Sequence, residues 1–176
     1  MNLFPAQTTQ ITKAIKATIY LGTISLDVYQ LPDSSYRLYA ESVAGAVDKH
    51  GRDLIRFLNG KSPLALPFKG YNLIHAQTVE VEGQGGFIKP VPVTLATSFW
   101  LFEACKGNMK AQAIAQASMM ESIERRADKA FYLQRTEAEY NQSFTETLDS
   151  ILNYNRKEVE ARRLPGDDLY LPAEIN

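Results

Sequence analysis

Apolar and polar positions change period several times along this chain, and each change predicts an element. From Ala17 to Tyr39, "ATIYLGTISLDVYQLPDSSYRLY" is rich in Ile, Val, Tyr and Leu and is broken by "PDSS". Proline presets its own φ there, and Asp33 and the serines bond back to nearby backbone, which is turn chemistry. The segment predicts a β-hairpin ending near Tyr39. "NLIHAQTVEVEG", "QGG" and "FIKPVPV" predict a second hairpin around a glycine turn. Pro90 and Pro92 donate nothing to a ladder, so its last strand belongs at a sheet edge.

Helical spacing takes over elsewhere. Two short helices are expected within "ESVAGAVDKHGRDLIRFLNGK", closed by Gly60 and blocked by Pro63. Thr94 is suited to cap "LATSFWLFEACK", and "GN" before Met109 supplies a stop and a new cap. The longest helix is expected from Met109 to about Gln134, with Met109, Ala113, Met120, Ile123, Ala127 and Phe131 as its buried stripe. A final helix from about Glu137 to Arg162 carries Tyr140, Phe144, Leu148, Ile151 and Val159 on one narrow side. That spacing resembles a short coiled-coil seam, and a helix docking on its own domain uses the same residues. The first 17 residues, with Pro5 and a Gln/Thr cluster, are expected to form a loose arm with a helical turn around Ile11 to Ile15.

The fold class expected is therefore α+β: two β-hairpins with a helix-turn-helix-like pair, then a helical half and a long C-terminal amphipathic helix. The boundaries expected are an arm over 1–17, a domain over 18–134, a dimerisation or docking helix over 135–163 and an extended tail over 164–176.

The pair of short helices holds the most informative chemistry. Val43, Ala44 and Val47 fit the inner face of the first helix, "DKHG" the turn, and Leu54 with Phe57 or Leu58 the inner face of the second. His50, Arg52, Asp53, Arg56 and Asn59 are expected to remain outside, and Lys49 and Lys61 flank them as supporting contacts. Arginine can donate two bonds to a guanine edge or hold a phosphate, and asparagine can pair with adenine. Ordinary helical hairpins share this pattern, so a DNA reader and a solvated face of a packed core both remain open from this segment alone.

The order of motifs adds to it. "ESVAGAV", through Ser42 to Val47, and "FWLFEACKGNMKAQAIAQASMMESIERR", through Leu101, Lys106, Lys110, Ala111 and Ile123 to Arg126, follow one another across about residues 22–130. In that arrangement the chain resembles the Bro amino-terminal domain of phage antirepressors, relatives of the KilA amino-terminal domain, and related small phage-like proteins of cyanobacteria. The resemblance implies DNA binding in a regulator of phage or mobile-element type.

Composition narrows the classes. An apolar share of 45% with 22% charged residues is a folding balance, and a net charge of −1 excludes a chain coated in positive charge. Charge is placed unevenly: Lys49, Arg52, Arg56, Lys61 and Lys69 face only Asp53, whereas from Glu137 to Glu160 six carboxylates face Arg156 and Lys157. The acidic helix suits pairing with a second subunit or a protein target. Cys105 is the only cysteine, which forbids an internal disulfide, and two histidines give no clustered zinc spacing. No apolar run reaches membrane length and "MNLFPAQTTQITKAIKA" lacks a secretion signal's apolar block, so a cytoplasmic, metal-free protein without cofactor is expected.

Catalysis is not expected. His50 lies on the candidate reader helix and His75 in a strand, and Cys105 reads as a small buried core residue. Phe99, Trp100 and Phe102 read as core. Glu80 and Glu82 on one strand face, with Lys89 across the turn, keep a metal-dependent nuclease as a distant alternative. The nearer alternative is an antirepressor-type protein-interaction module that does not touch DNA. The main expectation is a sequence-specific reader of double-stranded DNA, homodimeric through Tyr140, Phe144, Leu148, Ile151 and Val159, with Arg52 and Arg56 as leading contacts.

Overall fold

The computed structural model describes residues 13–71, 73, 78–83, 85 and 87–161. Its fold is α+β, with a six-stranded mixed sheet followed by a helical half. The first apolar segment folds as three strands: β1 (Lys13–Leu21), β2 (Ile24–Gln30) and β3 (Tyr36–Tyr39). "PDSS" makes the second turn, where Asp33 accepts from the amide and hydroxyl of Ser35 at 2.9 and 2.6 Å. The first turn, unforeseen in the sequence, is Gly22–Thr23, with Gly22 at φ +62°. Glycine enters that left-handed conformation without steric cost. β1 already begins at Lys13, so residues 13–17 are strand, and the expected helical turn is overturned over Lys13–Ile15. Residues 11 and 12 of that turn lie outside the described residues.

The second apolar segment is divided. β4 (Val79–Val81) and β5 (Phe87–Ile88) form the expected glycine hairpin, and β4 joins β1 in parallel. β6 (Pro90–Pro92) instead pairs antiparallel with β3, at the other end of the order β5-β4-β1-β2-β3-β6. Pro90 and Pro92 do lie in an edge strand. Only Lys89 separates β5 from β6. Two residues of chain span about 7 Å at most, whereas six strands laid flat are about 24 Å across. The sheet must therefore curl until its edges approach. Ala14, Tyr29, Val79 and Val81, with Leu31 and Ile88 against them, form a small separate core on one sheet face.

The main core lies on the other face. Leu26 and Leu38 meet α1 (Ala40–Gly45), α2 (Gly51–Leu58), α3 (Val93–Cys105), α4 (Met109–Ala130) and α5 (Glu137–Ala161). A 3-10 turn at Leu66–Phe68 follows α2. α3 starts at Val93 with Pro92 at its cap, so Thr94 is already inside the helix. Asn108 does cap α4, accepting from the Ala111 amide at 2.9 Å.

α4 presents a different face from the one its large apolar residues predict. Ala111, Ala113, Ile114 and Ala117 are buried, whereas Met109, Met120, Ile123 and Phe131 are exposed. Small alanines let α3 and α5 approach closely, and the larger side chains are turned outward. α4 ends at Ala130, and at 22 residues it is shorter than α5, which has 25.

The expected dimer seam is used within the chain. Tyr140, Phe144 and Leu148 are buried, Ile151 packs against the main core, and the Val159 side chain lies outside the described residues. Phe144 and Thr145 rest on Gly22 of the first turn, so α5 is built into the domain instead of being appended to it. An ionic clasp holds its start. Arg125 donates to both oxygens of Glu137 at 2.8 and 2.7 Å and stacks 3.8 Å over Tyr140, while Arg135 pairs with Glu124 and the buried Asp128. The Tyr140 hydroxyl donates to Asp128 at 2.9 Å, and burial pushes that hydroxyl's pKa up.

Candidate nucleic-acid interface

α1 and α2 form a short helical pair whose inner face matches expectation: Val43, Ala44, Val47 and Leu54 are fully buried and Phe57 nearly so. The turn differs. α1 ends at Gly45 and α2 starts at Gly51, so the connection is Ala46–His50, and Gly51 is helical rather than part of the turn. Asp48 supplies its left-handed residue at φ +55°, a conformation that Asp tolerates better than most side chains. Its carboxylate pairs with Lys110 of α4 at 2.8 Å.

Three contacts set the pair on its scaffold. Glu41 on α1 accepts from the Gly51 amide at 3.0 Å, satisfying one of the orphan donors at the start of α2. A Cβ at residue 51 would meet that carboxylate, so a larger residue there would turn the flexible Glu41 side chain aside. The Trp100 indole donates to the Val43 carbonyl and the Asn108 amide to the Val47 carbonyl, each at 2.8 Å. These two bonds occupy carbonyls at and just beyond the end of α1. α2 in turn lays Phe57 against Phe99 and Phe102, with ring centroids 5.8 and 5.0 Å apart. The aromatics of α3 are thus packing for the helical pair.

The outer side of α2 carries Arg52, Arg56 and Asn59, all exposed, with His50 before it and Lys61 after it. Neither Arg52 nor Lys61 joins an ion pair among the described residues. Arg56 meets Asp53 at 3.1 Å. Asp53 also accepts from the His50 amide at 3.0 Å, and that bond holds its carboxyl below the usual range. Lys49 is less free than expected: it is half-buried and reaches the buried Glu103 at 3.6 Å.

Glu103 is the group that sequence inspection missed. It lies on the inward face of α3 at 3% exposure, and Lys49 and Lys106 each pair with one of its carboxylate oxygens. Its neighbour Cys105 falls on the outward face and is exposed, contrary to its expected burial, because Ala96, Phe99, Trp100, Glu103 and Ala104 make the helical stripe. Lys106 and Lys110 join the same basic neighbourhood as α2 from far along the chain. The spacing of Glu103 and Lys106 signals an ion pair, but nothing local shows that it stands beside residues 49–61.

Other candidates stand apart from this face. Glu80 is half-buried, Glu82 lies just past β4, and no three His, Cys, Asp or Glu come together as a metal site among the described residues. His75 lies outside the described residues. A larger concavity of about 500 Å³, lined by Ala17, Ile19, Leu26, Val28, Trp100 and Ser118 among others, contains no charged side chain. Among the described residues, no helix is long and apolar enough to cross a membrane. No family model matches the chain, and neither a curated protein nor a solved structure shows significant similarity to it.

Proposed function

We propose that the chain is a sequence-specific double-stranded-DNA-binding regulator of phage or mobile-element type that reads through the outer side of α2, without a catalytic step. The observation that carries this reading is the division of α2: Leu54 and Phe57 fasten it to the core, while Arg52, Arg56 and Asn59 are exposed together. Around it Lys49, Arg52, Arg56, Lys61, Lys106 and Lys110 outnumber Glu41, Asp48, Asp53 and Glu103, so a chain of net charge −1 still offers a local positive surface. The motif order resembling the Bro amino-terminal domain supports the same reading.

A second reading is favoured by a different observation. Met119, Met120 and Ile123 on α4 are exposed, as are Phe131, Tyr132 and Leu133 beyond it. Apolar surface of that kind marks protein contacts, as in an antirepressor-type module that binds another regulator without touching DNA.

Fluorescence anisotropy of the protein with random duplex DNA over a salt series separates the two. DNA binding predicts salt-sensitive affinity and sequence enrichment on selection, with Arg52→Ala losing about 1–3 kcal/mol at a base edge and Arg56→Ala weakening binding. Absence of binding at low salt refutes the DNA reading and leaves the protein-interaction module.

A further inference from the structure

The sequence places Lys61 and Lys106 in different elements, yet the fold sets both at the rim of one small concavity. Its volume is about 190 Å³, and its lining includes Arg56, Lys61, Ser62, Phe102 and Lys106, with Asp53 and Glu103. That is smaller than the roughly 300–1,000 Å³ of sites that enclose drug-sized ligands, and it suits a compact charged group.

The carboxylates in the lining are already committed. Asp53 divides its oxygens between the His50 amide and Arg56. Glu103 divides its own between Lys49 and Lys106. The lining thus sets three cations, Arg56, Lys61 and Lys106, against two carboxylates, one of which Lys49 also pairs from outside the lining, leaving positive charge in excess. Lys106 is also held 5.0 Å over the Phe102 ring. Ser62 accepts from the Leu64 amide at 3.3 Å, so its hydroxyl proton remains able to donate outward. Arg56, Lys61, Lys106 and Ser62 are all donors, as a phosphate oxygen requires.

We propose that this concavity between the end of α2 and the end of α3 seats one backbone phosphodiester of the bound duplex and so fixes how α2 enters its groove. The proposal rests on the DNA-binding reading. It assigns Lys61, Ser62 and Lys106 to positioning, and leaves sequence discrimination to Arg52 and Asn59 on the outer side of α2. Phosphate contacts set register, whereas base contacts carry specificity.

The test measures affinity for a selected duplex and for a scrambled one, across a salt series, for wild type, Lys106→Ala, Lys106→Arg, Lys61→Ala and Arg52→Ala. Each phosphate contact contributes about 0.9 to the slope of log affinity against log salt. Lys106→Ala and Lys61→Ala are expected to lower that slope by up to about 1 each and to weaken both duplexes by the same factor. Lys106→Arg restores the slope, and Arg52→Ala instead narrows the gap between the two duplexes. Lys61 has no ion pair to lose among the described residues, so Lys61→Ala decides the matter if Lys106→Ala fails to fold. Unchanged slopes in the lysine variants beside a narrowed gap in Arg52→Ala would overturn the phosphate seat and leave the DNA reading intact. Wild-type protein that binds neither duplex removes both.

Discussion

Asn108 joins the helical pair to the rest of the molecule twice, and the two bonds can be separated by substitution. Its side-chain oxygen accepts from the Ala111 amide at 2.9 Å as the cap of α4, and its side-chain nitrogen donates to the Val47 carbonyl at 2.8 Å across the turn that leads to α2. Replacing a capping Asn by Ala costs typically about 1 kcal/mol. Leaving the part-buried Val47 carbonyl without its donor adds about 1 kcal/mol more. Asn108→Ala is therefore expected to destabilise by about 2 kcal/mol. Asn108→Ser keeps a capping oxygen but is too short to span to Val47, so it should lose only about half as much. Asn108→Asp keeps the cap and turns an acceptor toward the Val47 carbonyl, which places it below Ser despite its favourable charge at a helix start. In urea melts, with a slope of about 2 kcal/mol per molar, Asn108→Ala should move the midpoint down by about 1 M. Three variants of equal stability, or an Asn108→Ala within about 0.5 kcal/mol of wild type, would refute the double role.

Gly22→Ala should destabilise by about 2 kcal/mol, since it forces a left-handed alanine and brings its Cβ to 2.7 Å from the Thr145 hydroxyl oxygen. A Tm lowered by roughly 4–8 °C is the expected reading, with only partial recovery when Thr145→Ala is added; no shift in Tm would mean that α5 does not rest on this turn. Acid stability tests Asp53. Its folded pKa is depressed, first by the His50 amide, so its contribution is present above the unfolded value of about 4 and is lost as pH falls through the folded value. Asp53→Asn should accordingly lose stability relative to wild type at neutral pH, with the two curves converging below about pH 4. A difference that instead grows toward lower pH would count against this role.

How much of this was legible from residues alone depended on whether the signal was local. Turn chemistry at "PDSS", the Asn108 cap, the edge position of Pro90 and Pro92 and the buried positions Val43, Ala44, Val47 and Leu54 all follow from a few consecutive residues. Backbone conformation and helical period decide them without reference to distant chain. Phe57 and Leu58, in contrast, are equal candidates until the fold buries Phe57. Arg52 and Arg56 are expected outside, but their exposure is decided by the tertiary packing that buries Leu54 and Phe57 on the other side of the helix.

Tertiary packing decided the rest. α4 buries its alanines and exposes Met120 and Ile123, since close approach of neighbouring helices favours small side chains over a larger apolar stripe. Tyr140, Phe144 and Leu148 marked a seam without naming its partner, and the partner is this chain's own sheet and helices. The short separation of β5 and β6 curls the sheet, and no local pattern announces which edge each strand will find. Lys106 and Glu103 reach the neighbourhood of α2 because Phe57 packs on Phe99 and Phe102. Local sequence determined which residues share a face of a short element; only the meeting of distant elements determined which face is buried and which charges share a surface.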